Sequence, residues 1–333
     1  MHMADALISP SVGAAFYAAS AGFAIYSLKS NDKEIDMADY DPRIPLMGVL
    51  GAFIFAAQML NFAIPVTGSS GHIGGGLLLA ILLGSSRAFL VMGSILIVQS
   101  LFFADGGLLA FGCNWFNLGV FPCFIAYPII WKPLSRKHKY VAATTISAVI
   151  GLLLGAAAVT LQTSASKIAE LPFTPFITTM LSIHLVIGLV EGAATSAVVV
   201  FLHKARPELI LGASEPRDNN KSALSFKKIA ASFAILALIL GGFFSLYAAS
   251  DPDGLEWAIH KVSGQEEITL AEDSTLHSAA SAIQESTSFF TGYSLENLSE
   301  KLGTSVAGIA GSCLVLLLVG GIAFFISKKK AYR

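Results

Sequence analysis

Apolar residues run along this chain in long blocks interrupted by short polar clusters, and nine such blocks can be drawn, at roughly 7–28, 46–64, 73–84, 88–103, 114–131, 140–161, 177–202, 229–249 and 306–326. A helix that crosses a bilayer needs about 20 mostly apolar residues, so the pattern predicts a helical membrane protein. The third block is the weakest. It is too short to span by itself and carries Gly74, Gly75 and Gly76, which predicts either a helix extended into its flanks or a half-helix above a loop. The first seven blocks, within 1–205, are joined by short loops. A polar linker over 206–228 follows, with Pro207, Pro216, Asn219 and Asn220. The last two blocks, within 229–333, flank a polar stretch from Ser250 to Ser305 that is too long for a tight turn and predicts a small extracytoplasmic segment. The expected fold class is therefore all-α and polytopic, a seven-helix bundle plus two further transmembrane helices.

Sorting the basic residues by interval gives an orientation. Of the 21 Lys and Arg, 18 fall on one side of a nine-span arrangement, and Lys167, Lys261 and Lys301 fall on the other. Basic residues accumulate on the cytoplasmic side, which predicts an outer N-terminus and a cytoplasmic C-terminus in the cell membrane. Merging the third block with a neighbour would spoil the sorting. A signal peptide with Ala19-Ser20-Ala21 as its cleavage site is the competing reading of the first block, but no Lys or Arg precedes Leu7 to supply the positive flank.

Composition agrees. The 333 residues are 54% hydrophobic and 13% charged, against roughly 25% charged in an average soluble domain, and mean hydropathy is +0.69. This excludes an ordinary cytosolic enzyme. The formal charge of −1 gives no electrostatic argument for nucleic acid. Cys113, Cys123 and Cys313 share no metal-ligand or disulfide spacing and read as small buried hydrophobes. No G-x-x-x-x-G-K-[ST] is present, so any ATP dependence has to come from another chain.

The chain starts Met1-His2-Met3-Ala4-Asp5-Ala6-Leu7, directly ahead of the first apolar block. The Met1 α-amine and the His2 backbone nitrogen close a five-membered ring on a metal. The same backbone nitrogen with His2 Nδ1 closes a six-membered ring. A fourth nitrogen would complete a square plane, which suits Ni(II) or Cu(II). The backbone nitrogen must lose its proton, so binding releases protons and weakens in acid. The bland alternative for His2 is a disordered terminal residue. His72, in the glycine-rich run Gly68-Ser69-Ser70-Gly71-His72-Ile73-Gly74-Gly75-Gly76, falls on the same predicted side and is the candidate fourth ligand. A lone histidine at a helix start is otherwise a cap or a structural hydrogen-bonder.

Three motifs, MHMADALISP, MLNFAIPVTGSSGHIGGGLL and ADGGLLAFGCNWFNLG, resemble the substrate-binding membrane subunit of energy-coupling-factor nickel/cobalt transporters, the CbiM/NikM family, over about 1–205. The resemblance implies a seven-helix bundle that buries its own N-terminus and binds Ni(II) or Co(II), as transported substrate, through Met1, His2 and His72. It also implies a transmembrane coupling subunit (CbiQ/NikQ type) and cytoplasmic ATPase subunits (CbiO/NikO type) as partners, with no organic cofactor. Asp5, Asp105, Asn114 and Asn117 are expected to orient the imidazoles and cap the N-terminal segment, since outer hydrogen bonds fix the tautomer of a ligating histidine. Cys113 stands where the family pattern suggests a small residue such as alanine. A thiolate there would change the ligand set, and Cys113 is read as a bystander.

The stretch Ser250-Asp251-Pro252-Asp253-Gly254-Leu255-Glu256-Trp257 resembles the PDGLE signature of the small accessory subunit (CbiN/NikN type), here fused to the binding subunit and implied to assist metal loading. Asp253 and Glu256 invite a metal-capture reading, but a turn leading into a helix accounts for them better. His184 and Glu191, seven apart in one span, are expected either to join the outer shell of the site or to form a structural pair, with the pair favoured. Small residues recur every four positions at Ala14, Ala18 and Gly22, at Gly151 and Gly155, and at Gly188 and Gly192. Such rows permit close helix contact, and an outward-facing row would suit the coupling subunit.

Two other functions compete. Gly68-Ser69-Ser70-Gly71 matches the G-x-S-G of rhomboid-type intramembrane proteases, with His184 imagined as base, but that chemistry gives Met1 and His2 no role. An autonomous channel or proton-coupled metal transporter would work without any ATPase.

Overall fold

In the computed structural model the described residues are 2–35, 43–210, 225–265, 268, 274–295 and 298–331. Helix α1 (Pro10–Ile35) begins with a proline whose fixed φ suits a first helical position, and the Ser9 hydroxyl accepts the Val12 N–H there. Helix α2 (Arg43–Gln58) stops short of the predicted block. Where the sequence pattern continued a helix to residue 64, the chain instead turns and forms a hairpin, β1 (Phe62–Ile64) against β2 (Ser69–Gly71), in antiparallel register with Phe62 opposite Gly71. Pro65 and the left-handed Gly68, φ +70°, explain the turn.

Helix α3 (Gly76–Leu83) has eight residues, all buried. Of the two forms open to the third block, this is the short one, preceded by the hairpin loop. Its entry is the left-handed Gly75, φ +75°, where a side chain would strike Ile54. Helix α4 (Ser85–Phe102) follows, then α5 (Phe111–Trp115), which continues as a wider π-type helix over Phe116–Trp131 into α6 (Lys132–Ser135). Pro122 and Pro128 lie inside the π-type stretch. Each removes a donor and crowds the carbonyl one turn back, which is the physical reason for a wider ladder there.

Helices α7 (Tyr140–Ser166) and α8 (Phe173–Ala205) pack closely, because a Cβ at Gly188 or Gly192 would sit 2.9 Å from Val149 Cα or 2.8 Å from Thr145 Cα. The glycine row read from the sequence is here an inter-helix seam. The row on α1 differs, since Ala14, Ala18 and Gly22 are all exposed.

Helices α9 (Phe226–Gly242) and α12 (Glu300–Ala331) cross each other at Gly241 and Gly308 and dock on α2. There Phe53 meets Phe233 edge to face at 5.1 Å, and Gly48 and Gly51 admit Leu316 and Val315. Between them run α10 (Gly254–Ser263) and α11 (Thr275–Thr287). Among the described residues seven helices are long and apolar enough to cross a membrane, and the apolar part of α2, Pro45–Gln58, is shorter. The predicted linker lies mostly outside the described residues.

Candidate metal centre

The residues after His2 are fixed by main-chain contacts. Asn114, at the end of α5, grips the Met3 peptide with both ends of its amide: Oδ1 accepts the Met3 N–H at 2.8 Å and Nδ2 donates to the Met3 carbonyl at 3.1 Å. The same carbonyl accepts the Gly107 N–H at 2.9 Å. Asp5 Oδ1 accepts the Ala110 N–H at 2.9 Å. Gly107 leaves no room for a side chain with the segment seated this way, because a Cβ there would lie 1.9 Å from Asp5 Oδ1 and 2.4 Å from Asp5 N. The Asn117 amide pairs reciprocally with Gln162, at 2.7 and 2.9 Å, and its Nδ2 faces the Met3 sulfur at 3.8 Å. Within the Asp105-to-Asn117 motif, Gly107 and Asn114 thus hold the backbone next to His2, while Asp105 faces the His2 ring.

The His2 and His72 rings lie parallel, with centroids 5.2 Å apart and planes at 9°. His2 Nδ1 is 3.2 Å from Asp105 Oδ1. His72 Nδ1 faces the Ile73 carbonyl at 3.4 Å, and its Nε2 is 4.0 Å from Asp253 Oδ2. Burial lowers the pKa of His2, with the Asp105 carboxylate opposing, and pushes His72 down to about 3. Both rings are therefore neutral at neutral pH, the form that can ligate a metal. Parallel rings direct their in-plane lone pairs past one another, so convergence on one ion requires one ring to turn. Met1 lies outside the described residues, and among the described residues no group of three or more His, Cys, Asp or Glu is placed to hold a metal.

Glu191 and His184 do not pair with each other as the sequence suggested. Seven residues of helix separate them by roughly 10 Å along the axis, too far for a direct bond. Glu191 instead accepts the N–H groups of Gly74 and Gly75, at 2.8 and 3.0 Å, tying α8 to the loop that carries His72. His184 Nδ1 bonds the Met180 carbonyl at 2.8 Å and lines a small pocket with His72, Asp253 and Gly254. Cys113 is buried and does not line the cavity beside His2 and His72.

The region after Ser250 closes over this end. Asp253 and Glu256 form a capping box on α10, with Asp253 Oδ1 accepting from Leu255 N and Glu256 N and Glu256 Oε2 accepting from Asp253 N, as expected for a turn into a helix. Ser70 of the hairpin donates its N–H to the Pro252 carbonyl at 2.8 Å and its hydroxyl to the Asp251 carbonyl at 2.7 Å. Trp257 Nε1 donates to the Thr67 carbonyl at 3.0 Å. On α11, His277 Nε2 lies 3.1 Å from both the Asp5 and Ile8 carbonyls, and Gln284 Nε2 donates to the Ser100 and Gly106 carbonyls at 2.8 and 2.9 Å. Sequence reasoning singled out none of His277, Gln284 or Tyr293, because these are contacts between distant segments with no local motif. A cavity of about 520 Å³ lies between the two parts, lined by His2, His72, Asp105, Asp253, Glu256 and Tyr293 among others.

With its hydroxyl committed to a backbone carbonyl and no imidazole on it, Ser70 has the contacts of a structural residue. Ser70→Ala is expected to leave Ni(II) binding within about twofold of wild type while lowering stability by about 1 kcal/mol, read by metal titration and thermal unfolding in detergent. Loss of metal handling with intact folding would revive the hydroxyl chemistry.

Seven helices long and apolar enough to cross a membrane among the described residues, with the His2 and His72 rings stacked beside the chain's first residues, define a multi-pass membrane protein. The matches that follow place it among metal transport proteins, a transporter family rather than an enzyme family. Residues 2–209 match the model of the cobalt uptake substrate-specific transmembrane region, and the chain belongs to this family. Residues 227–328 match the PDGLE domain, fused behind it. A protein of Archaeoglobus fulgidus named as a fused nickel transport protein is 32% identical over 321 residues, covering 96% of each chain. A Lactiplantibacillus plantarum protein, also named as a fused nickel transport protein, is 25% identical over 97% of each. A crystal structure described as a truncated transition metal transporter aligns with TM-score 0.53 and 30% identity, covering 61% of this chain and 99% of that one.

Proposed function

We propose that this chain is the substrate-specific component of an energy-coupling-factor transporter, binding Ni(II) or Co(II) through Met1, His2 and His72 and delivering it for ATP-driven uptake. The observation that carries the reading is the seating of the N-terminal segment: Asn114 and Gly107 hold the Met3 peptide while His72 stands against the His2 ring. With its third residue's peptide fixed by three hydrogen bonds, the chain gains a rigid main-chain donor at the second. The metal enters from the outer face and is occluded under the hairpin loop, which Ser70 and Trp257 pin to the PDGLE domain. The coupling subunit and ATPases then reorient the protein to release the metal inside. The exposed row Ala14, Ala18 and Gly22 on α1 offers the coupling subunit a surface for close helix approach.

The purified full chain is expected to bind one Ni(II), turning yellow and diamagnetic as a square-planar nitrogen set requires, with protons released on binding and affinity falling in acid. In proteoliposomes it is expected to accumulate no metal until a coupling subunit and ATPases are added. Concentrative uptake by the chain alone would overturn the energy-coupling assignment, and a paramagnetic Ni(II) complex would overturn the planar site.

A further inference from the structure

The hydrogen bonds between the two histidine-bearing segments form one continuous chain, and its middle link comes from the PDGLE domain. From the His72 loop, the Gly74 carbonyl accepts Gln58 Nε2 at 2.8 Å, and Gln58 Oε1 accepts Gln99 Nε2 at 2.9 Å. Gln99 Nε2 also reaches the Tyr293 hydroxyl at 3.5 Å. That hydroxyl donates to Asp105 Oδ2, and Asp105 Oδ1 stands at His2 Nδ1. Gln58 and Gln99 are buried, and the Tyr293 link to Asp105 is partly buried.

Tyr293 is held there firmly. It has a left-handed backbone, φ 58°, a conformation that a bulky residue keeps only where the surroundings over-determine it. Gly292 N–H bonds the Phe103 carbonyl at 3.0 Å, and the Tyr293 ring lies 5.0 Å from that of Phe103 and 6.4 Å from that of Phe55. Burial and the adjoining carboxylate raise the phenol pKa, so the hydroxyl is the donor.

We propose that Tyr293 is a positioning residue for metal chelation: by donating to Asp105 it sets how tightly that carboxylate holds His2 Nδ1, the atom the metal must take. The inference rests on the chelating role of His2 given above. Nδ1 can close the six-membered ring only with its lone pair free, whereas a hydrogen bond to Asp105 engages it as N–H. Chelation therefore exchanges the Nδ1–H form for the Nε2–H form, with the proton count of the ring unchanged. His2 Nε2 and Gln99 Oε1 are both buried without a hydrogen bond of normal geometry among the described residues, and the Gln99 side chain is the neutral polar group that faces the His2 ring. A carboxylate whose second oxygen already accepts a phenol is a weaker acceptor for the imidazole, and it releases Nδ1 at lower cost. In this way the fused domain acts on the metal site without supplying a ligand.

The test is Ni(II) titration of the full chain in detergent. Tyr293→Phe keeps the ring and its packing and is expected to weaken Ni(II) binding about tenfold, the scale of one charge-assisted hydrogen bond, with the visible spectrum of the bound metal unchanged because the donor atoms are the same. In an Asp105→Asn background the same substitution is expected to change affinity less than twofold, since the effect travels through the carboxylate. Wild-type affinity in Tyr293→Phe, or a full tenfold loss persisting beside Asp105→Asn, overturns the proposal. If Tyr293→Phe does not fold, 3-fluorotyrosine at this position decides alone. Its more acidic phenol is expected to tighten Ni(II) binding several-fold, and unchanged or weaker binding overturns the proposal. A wild-type chain that binds no Ni(II) would instead sink the functional reading itself.

Discussion

Two residues placed ahead of Met1, such as the Gly-Ser left by removal of a fusion partner, are expected to abolish Ni(II) binding, lowering affinity by about a thousandfold or more. The five-membered chelate needs a primary amine one residue before His2, and an amide nitrogen in its place is a far poorer donor. The extension also has to be housed where the chain is already fixed, since Met3 is fully buried and its peptide is gripped by Asn114 and Gly107. Two residues are specified, not one, for a chemical reason. A single added residue would make His2 third from the amine and complete a four-nitrogen plane with two peptide nitrogens, independent of His72. Isothermal titration of wild-type and extended chains measures the loss directly, and undiminished affinity in the extended chain would remove the amine from the ligand set.

Gly107→Ala is expected to weaken Ni(II) binding about a hundredfold without touching any ligand. The new methyl would lie 1.9 Å from Asp5 Oδ1 and 2.4 Å from Asp5 N. A side-chain oxygen can swing away, but a backbone nitrogen cannot move without taking its segment along. That segment carries His2 three residues earlier, and a misplacement of about 1 Å in a preorganised set costs on the order of a hundredfold. The helices meet elsewhere, so the variant should stay folded, which size-exclusion behaviour and thermal unfolding will show. Wild-type affinity in a folded Gly107→Ala chain would mean that the N-terminal segment is not held as described.

The architecture was legible where it depends on hydropathy summed over twenty residues. Blocks such as 140–161 and 177–202 became α7 and α8 because an apolar run of that length satisfies its backbone within itself only as a helix. Legibility failed where local chemistry interrupts such a run. Phe62-Ala63-Ile64 is as apolar as the helix before it and became a strand, because Pro65 and Gly68 turn the chain back and β2 satisfies its backbone. The π-type stretch through Pro122 and Pro128 left no mark on hydropathy either. At the candidate site, His2, His72, Asp105 and Asn114 stood out because each sits in a short motif. For Glu191 the favoured pairing with His184 fails, since a spacing of seven reports a shared face and not a shared height, and its contacts are with the loop that carries His72. Tyr293, His277, Gln58 and Gln99 carried no signal, because their roles exist only once segments up to 272 residues apart in sequence meet.

That separation has a consequence for how the protein is made. At roughly 5–20 residues per second of synthesis, the first turn of the chain emerges tens of seconds before His277, which bonds the Asp5 carbonyl. The opening residues are gripped first by Gly107, Ala110 and Asn114 and only later by α11. Through the interval between, the nascent N-terminus is held from one side alone, and its second clamp closes when the end of the chain arrives.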